Sequence, residues 1–166
     1  MCIRDRFKPG MGFHYSDTNY LLLAVLIEDL TNMPFHEVLE KRICKPLSLN
    51  DTYLEFFQDK KGSTAITFPF HGNHDLKNVN TSFDWGGGGL ISSTIDLNIF
   101  IRSLLTGKLF KNTKTLQQMM DFENDSSTQK RGRIGYGLGL QQKKIGNQNF
   151  IGHNSAYGGM VFYNLE

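Results

Sequence analysis

The sequence predicts an α+β protein: a helical region, then an antiparallel sheet entered late in the chain. Three observations carry this. The stretch from Asp17 to Thr31 is apolar over most of its length and long enough for a helix rather than a strand. "SSTIDLNIFIRSLLTG", Ser92 to Gly107, sets Ser93 three residues ahead of Asp96 and closes on a glycine, the start and stop signals of another helix. From Ile134 onward the pattern changes. "IGYGLGLQQKK", "NQNFIGH" and "GMVFYNL" are short, strand-like and separated by turns.

The loop "FKPGMGFHYSD" opens the readable chain, punctuated by Pro9, Gly10 and Gly12. Asp17 or Thr18 is placed to cap the helix that runs to about Thr31. That helix is apolar nearly all round, which implies burial in a core. Pro34 suits the first turn of a second helix, "PFHEVLEKRIC", whose Phe35, Val38, Leu39 and Ile43 share a face. Pro46 is expected to stop it. Residues 51–83 read as a long irregular segment with short strands, Thr64 to Phe68 being a candidate. The run Gly86 to Gly89 lacks the Lys-Ser/Thr that a phosphate-cradling loop requires, so it reads as a tight backbone turn into the Ser93 helix. "TKTLQQMMDF" has the pattern of a short amphipathic helix, with Met119 and Met120 as core filler. No internal repeat is found.

Bulk properties exclude several functions. A formal net charge of +2 without a long basic run gives no basis for binding nucleic acid or an anionic membrane. The apolar run from Tyr20 to Ile27 is too short to span a bilayer, and membrane association is otherwise left open. Two cysteines, Cys2 and Cys44, suggest neither a disulfide framework nor a zinc site. "HGNHD", His71 to Asp75, lacks a well-placed third ligand and reads as a polar loop rather than a metal site. Neither a metal nor an organic cofactor is implied. Both ends look cut. "MCIRDR" shows no signal-peptide pattern and resembles translated sequencing adapter, so residues 1–6 are set aside. "GGMVFYNLE" stops inside or just after a strand-like run. Residues 7–166 are therefore expected to form a partial domain, incomplete at both ends.

The order of motifs resembles one known superfamily. Pro9-Gly10, then Tyr15-Ser16-Asp17, a buried helix, a second helix and "KPLSLNDT" resemble the region around the second motif of the serine β-lactamases and penicillin-binding proteins. The likeness is greatest to the branch of class C β-lactamases, D-alanyl-D-alanine carboxypeptidases and related esterases. "GGGGLISSTIDL", "YGLGL" and "IGHNSAYGG" resemble later motifs of that family, in the same order. Several independent motifs in sequence make the match specific where any one would be weak. The resemblance implies a β-lactamase-like fold and acyl transfer through a serine, from an ester, amide or peptide to water. It also implies a periplasmic or envelope location. The family nucleophile belongs to a Ser-x-x-Lys segment upstream of the tyrosine motif. Here the only such spelling, Ser127 to Lys130, falls after it in a polar linker, so the nucleophile is expected outside this chain.

Each candidate residue has a plainer reading beside it. Tyr15 by resemblance exchanges a proton with the serine and the leaving group; taken alone, it reads as an aromatic packing the helix start. Asp17 by resemblance faces substrate, and by position it caps a helix. The family more often has asparagine there, which both donates and accepts. An ionised aspartate only accepts, which leans away from β-lactam turnover toward an esterase or peptidase. His153 falls where the third motif has lysine or histidine and would orient substrate or shuttle a proton; otherwise it is an exposed strand histidine. Ser155 stands where that motif usually has glycine, so its side chain narrows the pocket or the register differs. The backbone N–H of Ala156 would supply half of an oxyanion hole. The departures at Asp17 and Ser155 keep a rival in view, a non-catalytic binding or sensor domain on the same scaffold.

Overall fold

A computed structural model describes residues 7–8, 11, 13–63, 65–68, 70–71, 73–122 and 133–164. Residues 1–6, Pro9, Gly10, Gly12 and the Ser127–Lys130 tetrapeptide lie outside the described residues. The chain divides into two compact units. One comprises the described parts of Met1–Ser16, Phe110–His153 and Phe162–Glu166; the other comprises Asp17–Leu109 and Asn154–Val161.

The larger unit is mainly helical. α1 (Asp17–Thr31) and α2 (Phe35–Leu39) are followed by a π-helical turn, Glu40–Cys44, which runs on into α3 (Lys45–Leu47). Pro46 therefore does not stop the second helix, contrary to the sequence expectation. In the π turn the Lys45 N–H reaches back five residues to the Glu40 carbonyl. The widened turn relieves the clash that a proline ring makes with the carbonyl four residues earlier. The helix stops two residues later at Ser48, whose φ of 56° leaves the helical region. Pro34 also differs from expectation: it is the N-cap residue, extended at ψ 142°, rather than part of the first turn.

α1 has the predicted bounds but not the predicted burial. Only Ala24 is buried, while Leu22, Leu23, Val25, Leu26 and Leu30 are exposed. Apolar character states that a surface favours burial; it does not say which residues cover it. The face of α1 that is covered meets α4 (Trp85–Gly88) and α2. A Cβ on Gly86 would lie 2.4 Å from the Ala24 Cβ, so the glycine run is a helical turn pressed onto α1 rather than a simple bend. Ile27, Leu30, Phe35, Val38, Leu39 and Ile43 line a groove of about 340 Å³ along the α1–α2 seam.

α5 (Thr94–Leu105) is capped by Ser93, whose side chain accepts from the Asp96 N–H. Only this half of the expected capping box forms. The Asp96 carboxylate turns instead to the Asp51 N–H at 2.8 Å and the Thr52 hydroxyl at 2.7 Å. This ties the 51–52 loop to the helix start and supports the short antiparallel pair β1 (Tyr53–Leu54) and β4 (Leu90–Ile91). Residues 65–68, part of the candidate strand, are irregular. A small hairpin, β2 (Phe70–His71) and β3 (His74–Asp75), forms just after them and takes in the "HGNHD" segment.

The other unit is built on an antiparallel sheet. After α6 (Thr113–Met119), capped by Asn112, come β5 (Arg133–Tyr136), β6 (Gln141–Ile145), β7 (Gln148–Asn154) and β8 (Met160–Asn164), ordered β5-β6-β7-β8. Tyr136 pairs with Gln141, and Gln141 pairs with Gly152. The β5–β6 turn is tightly held. Gly137 donates to the Leu140 carbonyl at 2.8 Å, and Leu138 to the Met119 carbonyl at 3.0 Å. A Cβ on Gly137 would stand 2.0 Å from that same Met119 oxygen, which is why glycine follows Tyr136.

Candidate active site

Two of the sequence-predicted residues come together in the sheet-bearing unit. Tyr15 lies on the loop ahead of α1 and is 37% exposed, accessible to a ligand yet anchored by its ring. That ring is 6.2 Å from the His153 imidazole and meets the Tyr136 ring edge-on at 5.9 Å. His153, near the end of β7, is half-buried. Its Nε2 lies 3.0 Å from the Tyr136 hydroxyl and 3.4 Å from the Gln141 amide nitrogen. Phe13 packs against Tyr136, with ring centroids 5.1 Å apart. A phenol and an imidazole, both able to exchange protons, thus share one aromatic cluster built from the entry loop and two strands.

Asp17, Ser155 and Ala156 belong to the helical unit. Asp17 is the first residue of α1, exposed, and in the turn where a carboxylate is favoured by the helix dipole. Ser155 and Ala156 sit exposed at the tip of the β7–β8 hairpin. The Ser155 hydroxyl accepts from the Tyr157 N–H at 3.1 Å, and its own N–H donates to the Gly159 carbonyl at 2.7 Å. The side chain that replaces the usual glycine is thus engaged in holding its own turn. Among the described residues no group of three His, Cys, Asp or Glu side chains is placed to hold a metal ion.

Sequence reasoning passed over three residues near these positions. Tyr136 lay inside a quoted motif without a role, and Gln141 drew no notice. Tyr157 donates its hydroxyl to Asp84 at 2.7 Å. That hydrogen bond, with burial and the charges of Asp84, Glu55 and Asp17, pushes the Tyr157 hydroxyl up to about 12. No local pattern links positions 84 and 157, so only the fold reveals the pair.

The Tyr157 pair has a pH signature. Its folded value lies above the ordinary 10, so the bond's contribution to stability is complete below about pH 10 and is lost as pH rises through about 12. Tyrosinate absorbance should show a component titrating near 12 that Tyr157→Phe abolishes. The stability gap between the two proteins should be constant at neutral pH and close only in that alkaline window. If the component that Tyr157→Phe removes titrates at the ordinary value instead, the bond does not form.

Comparisons with known proteins bear on the family and the fold. The family model described as Beta-lactamase matches residues 4–166. A Salmonella paratyphi B protein named as a D-alanyl-D-alanine carboxypeptidase is 31% identical, over 65% of this chain and 30% of its own length. Among solved structures, a D-stereospecific amidohydrolase from a Streptomyces species superposes with a TM-score of 0.81 at 28% identity, covering 95% of this chain and 48% of that one. The D-amino acid amidase of Ochrobactrum anthropi SV3 complexed with D-phenylalanine gives 0.77 at 23% identity, over 92% of this chain and 47% of its own. The chain thus spans less than a third of that curated relative and about half of these solved structures.

Proposed function

Since the chain belongs to the beta-lactamase family, we propose that it is part of a serine hydrolase that transfers an acyl group from an amide, peptide or ester to an active-site serine and then to water. The serine and its lysine would come from a segment outside this chain. In this reading the serine oxygen attacks the substrate carbonyl while its proton passes to Tyr15. The same proton then goes to the leaving nitrogen or oxygen. Water repeats the sequence to release the acid. His153 would orient substrate or relay a proton beside Tyr15. The Ala156 N–H would supply one oxyanion donor, and Asp17 would accept from the substrate or the lysine. Tyr157 is unsuited to the proton-transfer role, because a carboxylate already holds its hydroxyl in the protonated form.

The observation that carries the proposal is the approach of the Tyr15 and His153 rings to 6.2 Å, two residues from opposite ends of the chain. Names of the relatives favour bonds made by D-amino acids, and the 28% identity to a D-stereospecific amidohydrolase supports amide or peptide substrates over β-lactams.

The test uses the full-length protein with D-aminoacyl anilides, a D-Ala-D-Ala peptide, a chromogenic ester and a chromogenic cephalosporin. Saturable hydrolysis of the D-configured amides or peptide is expected, with one serine labelled by a fluorophosphonate in the mass spectrum. The present chain alone is expected to hydrolyse none of them, since loss of a serine nucleophile removes most of the rate. Turnover that tracks this chain through purification would overturn the placement of the nucleophile. A full-length protein that neither turns over nor labels would instead be a binding domain.

A further inference from the structure

The hydrogen bond at the His153 ring points to a residue that acts through the histidine. We infer that Tyr136, backed by Gln141, is a positioning residue that holds His153 through its Nε2 and fixes the neutral tautomer with the proton on Nδ1. The inference rests on the role proposed for His153.

Tyr136 is suited to this by burial. It is 4% exposed, and its hydroxyl meets Nε2 at 3.0 Å with the two rings edge-on at 83°. Its backbone is fixed by the β5–β6 turn, where Gly137 and Leu138 are tied to Leu140 and Met119. Gln141, directly opposite Tyr136 in the sheet, is 6% exposed and brings its amide nitrogen to 3.4 Å from the same Nε2. The Gln141 amide nitrogen can only donate, so in this arrangement Nε2 is the acceptor, the Tyr136 hydroxyl is its second donor and the ring proton lies on Nδ1. Among the described residues, the Gln141 Oε1 is buried without a hydrogen-bond partner. Leaving a buried oxygen unpaired carries a cost in stability, one that an apolar residue of similar size would avoid. A glutamine here, rather than an apolar residue, is explained if its amide nitrogen is needed at His153. Side chains that lock the rotamer and tautomer of a reacting group are the usual support of a preorganised site.

The experiment is carried out on the full-length protein labelled with 15N-histidine. In the unsubstituted protein the His153 resonances should show Nε2 unprotonated and Nδ1 protonated in the neutral ring. Nε2 carrying the proton would overturn the inference at once. Tyr136→Phe keeps the ring and its contacts with Phe13 and Tyr15. It should shift His153 toward a mixture of tautomers and lower kcat about tenfold to a hundredfold, with KM little changed. An unchanged tautomer, or an altered tautomer with normal kcat, would overturn the inference. Should Tyr136→Phe fail to fold, Gln141→Met should produce the same tautomer shift in smaller degree, and no shift there counts against the pair. The spectra do not depend on turnover. A protein that hydrolyses nothing would therefore refute the proposed function while the resonances still decide the hydrogen bond.

Discussion

Tyr15→Phe in the full-length protein is expected to lower hydrolysis of its best substrate by about 100-fold or more, the usual effect of losing a general acid–base group. Folding should be nearly unaffected. The substitution removes one hydroxyl from a ring that is 37% exposed and leaves the packing against Tyr136 and His153 in place. The stability change should stay within about 1–2 kcal/mol. Thermal melting and hydrolysis measured on the same sample separate the two readings of this residue. A tyrosine that only packs the start of α1 would give a shifted melt with near-normal turnover. One that carries the proton gives a near-normal melt with turnover lost. Full activity in the phenylalanine variant would remove Tyr15 from the mechanism.

The largest stability effect is expected at Asp96. Its carboxylate is 4% exposed and accepts from the Asp51 N–H and from the Thr52 hydroxyl, which also meets the Ser92 hydroxyl at 2.8 Å. Thr52 is itself buried. Asp96→Ala leaves the part-buried Asp51 N–H without its acceptor and the buried Thr52 hydroxyl with Ser92 alone. Two charge-assisted hydrogen bonds at roughly 1.5–3 kcal/mol each bound the loss at about 3–6 kcal/mol, and the Ser92 hydroxyl left to Thr52 puts it at the lower end. Asp96→Asn keeps one oxygen as acceptor and should cost less than half as much. Urea unfolding of the two variants beside the parent protein measures both values. Equal, small shifts for Ala and Asn would show that the carboxylate does not tie the loop to the helix. The functional consequence is indirect: Asp96 supports the strand pair β1–β4 through the 51–52 loop.

The sequence alone determined the class of fold, the order of its elements and two of the residues that meet. α1, α5, α6 and the last three strands are set by apolar spacing, caps and turn residues within a few positions of one another, which is information a linear pattern contains. Tyr15 and His153 were legible because each lies in a short motif of recognisable order. What failed was whatever depended on distant neighbours. Pro46 was read as a stop because the π turn that accommodates it cannot be seen in the letters. The carboxylate of Asp96 was assigned to its own helix cap because Asp51 and Thr52, more than forty positions away, were not visible as competitors. The exposed leucines of α1 show the same limit: local hydrophobicity measures a preference for burial, and only packing decides whether it is met. Tyr136, Gln141 and Tyr157 gained their partners from strand register and from loop approach. Hydrogen bonds require donor and acceptor within about 3.5 Å, and that proximity is created between residues far apart in the chain only when the tertiary structure forms.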